Sequence, residues 1–170
     1  SKPFTLEVDP TPMEKPSIDA VHDDAGDVQG VVDKGQPTDD STPTLVGKAV
    51  AGTTVHIYEG GRLLDSVLAD ENGNWKFTVT TPLIDGDHSF TVKAVSKTGN
   101  VSGMSDPYGI VVDTMAPGKP TIVLVDDDQG ALTGPVPNGG FTDDTQPAIE
   151  GRAEAGSTVR IHDNGSLLGN

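Results

Sequence analysis

Residues 38–66 read TDDSTPTLVGKAVAGTTVHIYEGGRLLDS, and 104 positions later residues 142–170 read TDDTQPAIEGRAEAGSTVRIHDNGSLLGN. Thr38-Asp39-Asp40 returns as Thr142-Asp143-Asp144, Ala51-Gly52 as Ala155-Gly156, and Leu63-Leu64 as Leu167-Leu168. Extended back to Pro16 and Pro120, the match is gapless, with 23 identities in 51 positions. Farther upstream, Ser1, Pro3, Val8, Asp9 and Lys15 recur as Ser105, Pro107, Val112, Asp113 and Lys119. Self-similarity at one fixed period marks a repeat architecture. The expected organisation is the last strand of one repeat plus a linker at 1–13, a complete repeat at 14–113, a linker at 114–119, and the first part of a further repeat at 120–170. That last part lacks the counterpart of Val67 to Met104. An incomplete sheet exposes unpaired edges and apolar surface, so 120–170 is expected to be poorly ordered or completed by another chain.

The class of the repeat follows from what fills it. Val accounts for 19 of the 170 residues, Gly for 21 and Pro for 13, a bias toward strands and turns. Leu, Ile, Val and Phe make up about a quarter of the chain, enough for a packed core. Alternation predicts strands at Ser17–Val21, Thr44–Val50, Thr54–Glu59, Leu63–Ala69, Trp75–Thr80, His88–Ser96 and Tyr108–Val112. Gly60-Gly61 and Asn72-Gly73 read as hairpin turns, and Thr98-Gly99-Asn100 as a further turn. Trp75, the only Trp, alternates with polar neighbours and belongs to the core. Seven strands in about 100 residues predict an all-β fold of seven-stranded immunoglobulin-like β-sandwich repeats in tandem.

Several functions are set aside by the same residues. Lys plus Arg number 11 against 26 Asp plus Glu, a net charge of −15 with no basic run, so the chain is not expected to bind nucleic acid. No apolar run approaches the roughly 18 residues of a membrane span, and no membrane insertion is expected. There is no Cys, which removes disulfides and thiol chemistry. His22, His56, His88 and His162 show no paired metal-ligand spacing, and no Gly-x-Ser-x-Gly elbow or phosphate-cradling loop occurs, so no enzyme activity is expected. His56 falls at an outward strand position and becomes Arg160 in the second copy, which fits a solvated residue.

Four runs carry a family resemblance: Asp39-Asp40-Ser41-Thr42-Pro43, Ala51-Gly52-Thr53-Thr54-Val55, Asp70-Glu71-Asn72-Gly73-Asn74-Trp75 and Gly99-Asn100-Val101-Ser102. Together they resemble the bacterial immunoglobulin-like repeats of giant surface adhesins and biofilm-associated proteins. Val112-Asp113-Thr114-Met115-Ala116-Pro117 is similar to their inter-repeat linker. The chain departs from the family where Ser96 stands in place of a common Asp before the Gly-Asn turn. The resemblance implies a secreted protein of the bacterial cell surface, whose neighbours are adjacent repeats of the same chain and whose other regions reach a host surface or matrix.

The acids are the informative chemistry. In a sandwich traced in this order, the long passage at 22–43, the loop with Asp85 and Asp87, and the exit at Asp113 share one pole. Two carboxylates about 4 Å apart repel by roughly 1 kcal/mol in water and about 4 kcal/mol at the effective dielectric of a protein surface. Calcium, which takes six to eight oxygens in flexible geometry, relieves such repulsion. The candidate Ca2+ ligands are Asp23, Asp24, Asp39, Asp40 and Asp113, with Asp127, Asp128, Asp143 and Asp144 in the second copy. The other reading of these residues is that they cap turns through Asx hydrogen bonds. Asp70, Asn72 and Asn74 partly echo an EF-hand loop, but the twelfth position is Thr81, and a turn fits better. The expected function is a non-enzymatic, calcium-stiffened spacer in cell adhesion or biofilm formation. The alternative is a carbohydrate- or receptor-binding module, with Tyr58 as its one outward ring.

Overall fold

A computed structural model describes residues 12–131 and 133–170, divided into two compact units, the first ending at Met115 and the second running from Ala116 to Asn170. The strand expected within 1–13 falls on residues 1–11, outside those described. The first unit holds β1 (Ser17–Asp23), β2 (Gly30–Val32), β3 (Pro37–Thr38), β4 (Thr44–Lys48), β5 (Thr54–Glu59), β6 (Arg62–Leu68), β7 (Asn74–Thr78), β8 (Gly86–Val95) and β9 (Tyr108–Val112). They form a four-stranded sheet in the order β2-β1-β4-β7 and a five-stranded sheet in the order β3-β9-β8-β5-β6.

Alternation builds one core from both sheets. Val21, Leu45, Trp75 and Phe77 come from the first sheet, and Val55, Ile57, Phe90, Val92, Ile110 and Val112 from the second. Each fully buried Val, Leu, Ile or Phe is worth about 1.5–3 kcal/mol relative to exposure. Gly47 shows how tightly the first sheet is made. It pairs with Trp75, and a Cβ there would lie 2.6 Å from Trp75 Cζ2 and 2.0 Å from the Ser17 carbonyl oxygen. Only a residue without a side chain lets the indole cross the strand at that point.

The unit has nine strands where alternation predicts seven. The two extra strands come from the polar passage at 22–43, where Val32 pairs antiparallel with Val21 and Thr38 pairs in parallel with Val112. The Asn72-Gly73 turn also differs from expectation. It does not close a hairpin, because β6 and β7 lie in different sheets. Asp70 turns the chain instead: its Oδ1 accepts from the Asn72 and Asn74 amides, both at 2.8 Å. The exposed side of β8 is closed by Ser102 and Ser105, whose hydroxyls accept from the Ala94 and Val92 amides at 2.9 Å.

The second unit contains β10 (Thr121–Asp127), β11 (Gly134–Pro135), β12 (Ala148–Arg152), β13 (Ile161–Asp163) and β14 (Ser166–Gly169). Its sheets are β11-β10-β12 and β13-β14. The β10/β12 register repeats that of β1/β4 104 residues on, from Thr121↔Arg152 to Asp126↔Ala148, and it includes the same irregularity after Ile122 that β1 shows after Ile18.

Candidate functional site: the acidic loops

The passage between β1 and β4 is held by its own acids. Thr38 Oγ1 donates to Asp23 Oδ2 at 2.6 Å and accepts from the Asp40 amide at 3.1 Å. Asp23 Oδ1 accepts from the Ala25 amide at 2.9 Å. Asp40, only 2 % exposed, accepts at Oδ1 from the Thr42 amide at 2.7 Å and at Oδ2 from the Asp24 amide at 3.3 Å. These are Asx-type bonds, in which a carboxylate stands in for a backbone carbonyl. Asp39 packs against the loop: a Cβ on Gly26, whose φ is +57°, would fall 2.0 Å from Asp39 Oδ2.

The exit strand reaches the same end of the unit. The Asp113 amide donates to the Thr38 carbonyl at 2.9 Å, and Asp113 Oδ1 accepts from the Met115 amide at 3.2 Å. Next to it, Asp85 Oδ1 accepts from both the Thr114 amide and its hydroxyl, at 2.9 and 2.8 Å. Those two bonds hold the Asp85 carboxyl below the ordinary carboxylate range. Asp23, Asp24, Asp39, Asp40 and Asp113 therefore share one end of the first unit.

The second unit repeats four of the loop's bonds. Thr142 Oγ1 donates to Asp127 Oδ2 at 2.6 Å and accepts from the Asp144 amide at 3.0 Å. Asp127 Oδ1 accepts from the Gln129 amide, and Asp144 Oδ1 from the Gln146 amide. The Thr142 hydroxyl, ahead of the Gln129 amide, lowers the Asp127 pKa. Gly130 again faces an acid, with Asp143 Oδ2 2.2 Å from the position of a Cβ. One difference is at Asp144 Oδ2, the counterpart of the Asp40 oxygen that accepts from Asp24: it is buried and has no hydrogen-bond partner among the described residues.

Thr38 and Thr142, and Gly26 and Gly130, recur at the 104-residue period, but no local pattern in the sequence marks them as site residues. As for calcium, the donor set is all oxygen and one buried carboxylate oxygen is unpartnered, which suits a hard cation. Among the described residues, however, no three His, Asp or Glu side chains converge as a ready-made cage. His88 is buried by the same alternation that buries Phe90. Its Nε2 lies 2.8 Å from the Ile84 carbonyl oxygen and its Nδ1 3.2 Å from Glu59 Oε1. Tyr58 is half-buried, with Lys93 Nζ 6.0 Å from the centre of its ring. Among the described residues no helix is long and apolar enough to cross a membrane.

Two sheets closing on one apolar core, without a helix among the described residues, define an all-β unit of the immunoglobulin-like kind, with its acids gathered in loops. Residues 13–114 match the bacterial Ig-like domain family, and the chain belongs to that family. Among solved structures it is similar to a biofilm-associated protein BSP domain, at 25 % identity over 62 % of this chain with a TM-score of 0.40, and it spans 15 % of that chain. It is also similar to the fibronectin(III)-like modules of Clostridium thermocellum CbhA, at 12 % identity over 57 % of this chain and 94 % of that one, TM-score 0.38. A third similarity is to CopC from Methylosinus trichosporium OB3b, at 16 % identity over 47 % and 84 %, TM-score 0.33. A search of curated proteins finds no match.

Proposed function

We propose that the chain is a non-enzymatic structural segment of a bacterial surface adhesin, a spacer built from tandem seven-stranded-type repeats at 14–113 and from 120 onward, acting in cell adhesion or biofilm formation. Membership of the bacterial Ig-like family supports this reading. The observation that carries it is the recurrence, 104 residues apart, of one strand register and one acid-and-hydroxyl loop. A module whose strand register and loop recur at a fixed period is suited to serial repetition along a chain.

Calcium is the proposed stiffener. Asp23, Asp24, Asp39 and Asp40 in one loop with Asp113 at the exit of β9, and Asp127, Asp128, Asp143 and Asp144 in the other loop, are the proposed ligands. Support comes from Asp144 Oδ2, a buried anionic oxygen without a donor, since such an atom is costly until something positive reaches it. The bound ion would neutralise carboxylates that otherwise repel. Extracellular modules hold calcium at about 10⁻⁴–10⁻³ M, which makes the segment rigid outside the cell and pliable before export. Small-angle scattering of a longer chain of several repeats tests this. The expected result is a larger maximum dimension in calcium than in chelator, and equal dimensions would rule the stiffening out.

A further inference from the structure

A cleft of about 470 Å³ opens in the first unit where the start of β6 and the end of β7 come together, under the connection from β7 to β8. All of its walls come from residues 59–88, inside the complete repeat. Period-two alternation makes the inner wall apolar: Phe77 and Val79 are buried, and Leu64 and Leu83 are half-buried against the same core. The roof is tied down at three places. The Leu83 amide donates to the Ser41 carbonyl at 2.8 Å, Asp85 accepts from the Thr114 amide and hydroxyl, and the Ile84 carbonyl oxygen lies 2.8 Å from His88 Nε2. A hollow whose walls are already fixed needs little ordering to receive a ligand.

Opposite charges line the same cleft side by side. Glu59 and Arg62 are register partners across the β5/β6 ladder, flanking the Gly60-Gly61 turn. Glu59 is anchored, with Oε1 3.2 Å from Nδ1 of the buried His88. The Arg62 guanidinium makes no ion pair or hydrogen bond among the described residues, so its planar fork of donors, the shape that holds a carboxylate, is free. The scaffold itself does not call for that arginine. In the second copy Glu59 and Leu64 recur as Asp163 and Leu168, whereas Arg62 is replaced by Ser166.

Charge narrows the ligand. A chain with a net charge of −15 repels a simple anion, a simple cation has Arg62 against it, and an uncharged apolar molecule leaves both Glu59 and Arg62 without a partner. We infer that the cleft is a binding site for a small zwitterion with an apolar body, the chemistry of a free hydrophobic amino acid. Its carboxylate accepts from the Arg62 guanidinium, its ammonium donates to Glu59, and its side chain lies against Phe77 and Leu83. Clefts of this size, mostly apolar with a few convergent polar groups, are the usual form of small-molecule sites.

The inference does not rest on the adhesin reading, and its test is run in chelator. L-leucine and L-phenylalanine are titrated into the 170-residue chain near neutral pH, with amide chemical shifts as the readout. The expected result is saturable shifts centred on residues 59–64 and 77–88, with none from glycine. 3-Phenylpropanoate lacks the ammonium and phenethylamine lacks the carboxylate, and each is expected to bind about tenfold or more weakly than phenylalanine. Arg62→Ser, which introduces the residue the second copy carries, is expected to weaken phenylalanine by a similar factor and to leave phenethylamine unaffected. Unchanged shifts elsewhere in the chain show that the variant is folded, and the ligand analogues give the same information without any variant. Absence of saturable shifts with both amino acids, or phenylalanine binding that ignores Arg62→Ser, would overturn the inference. So would phenethylamine binding as tightly as phenylalanine, since the cleft would then take a cation.

Discussion

Trp75 Nε1 and Asp144 Oδ2 are the two buried side-chain polar atoms without a partner among the described residues, and they call for opposite experiments. The indole of Trp75 earns its place by area, crossing Gly47 and filling the core, while its N–H is a liability there. Trp75→Phe removes the unpaired donor along with part of the ring, and Trp75→Ala removes the whole filling. We expect Trp75→Ala to cost about 3–5 kcal/mol and Trp75→Phe to cost clearly less, in urea unfolding followed by far-ultraviolet circular dichroism. Thr38 is a different case, because its hydroxyl both donates to Asp23 and accepts from the Asp40 amide. Thr38→Val keeps the shape and leaves both groups unpaired in a buried setting, for an expected loss of about 1–3 kcal/mol in the same assay.

At the scale of the element, the loops behave as carboxylate-capped turns, and that gives them a pH dependence. Asp85 is held down by Thr114, and Asp70 by the side chain and then the backbone of Asn74. A carboxyl whose folded pKa lies below its unfolded value, about 3.9, adds stability that is complete above that value and is lost as pH falls through the folded pKa. Melting temperature is expected to stay level from pH 7 to about 5 and to fall below about pH 4. Asp85→Asn keeps an acceptor for Thr114 but removes the titration, so its acid branch should be shallower. An unchanged slope would show that Asp85 is not among the groups responsible. The strands themselves were legible because period-two alternation is a local signal: Val55 and Ile57, or Phe90 and Val92, declare an inward face within six residues. The short β2 and β3 were not, since two or three residues cannot show a period, and their pairing with β1 and β9 is a tertiary event. Asn72-Gly73 reads as a hairpin because that dipeptide marks a tight turn without saying which sheet the chain enters next. The acid loops were visible as recurring doublets, but the Thr38 and Thr142 hydroxyls that join the acids only became evident through distance.

For the whole molecule, the central claim is that the acid loops recur because they hold calcium. The Asx bonds already account for much of how Asp23 and Asp40 are fixed, so the claim stands on what a cation adds beyond them. An ion that binds only the folded state raises stability by mass action. At about 10 mM calcium, with dissociation constants of about 10⁻⁴–10⁻³ M, that gain is roughly 1.4–2.7 kcal/mol per site. Differential scanning calorimetry of the 170-residue chain in about 10 mM calcium chloride and in excess chelator, at matched ionic strength, is the direct measurement. The account predicts a rise in melting temperature with calcium that Asp144→Asn diminishes; superimposable transitions in the two buffers would contradict it.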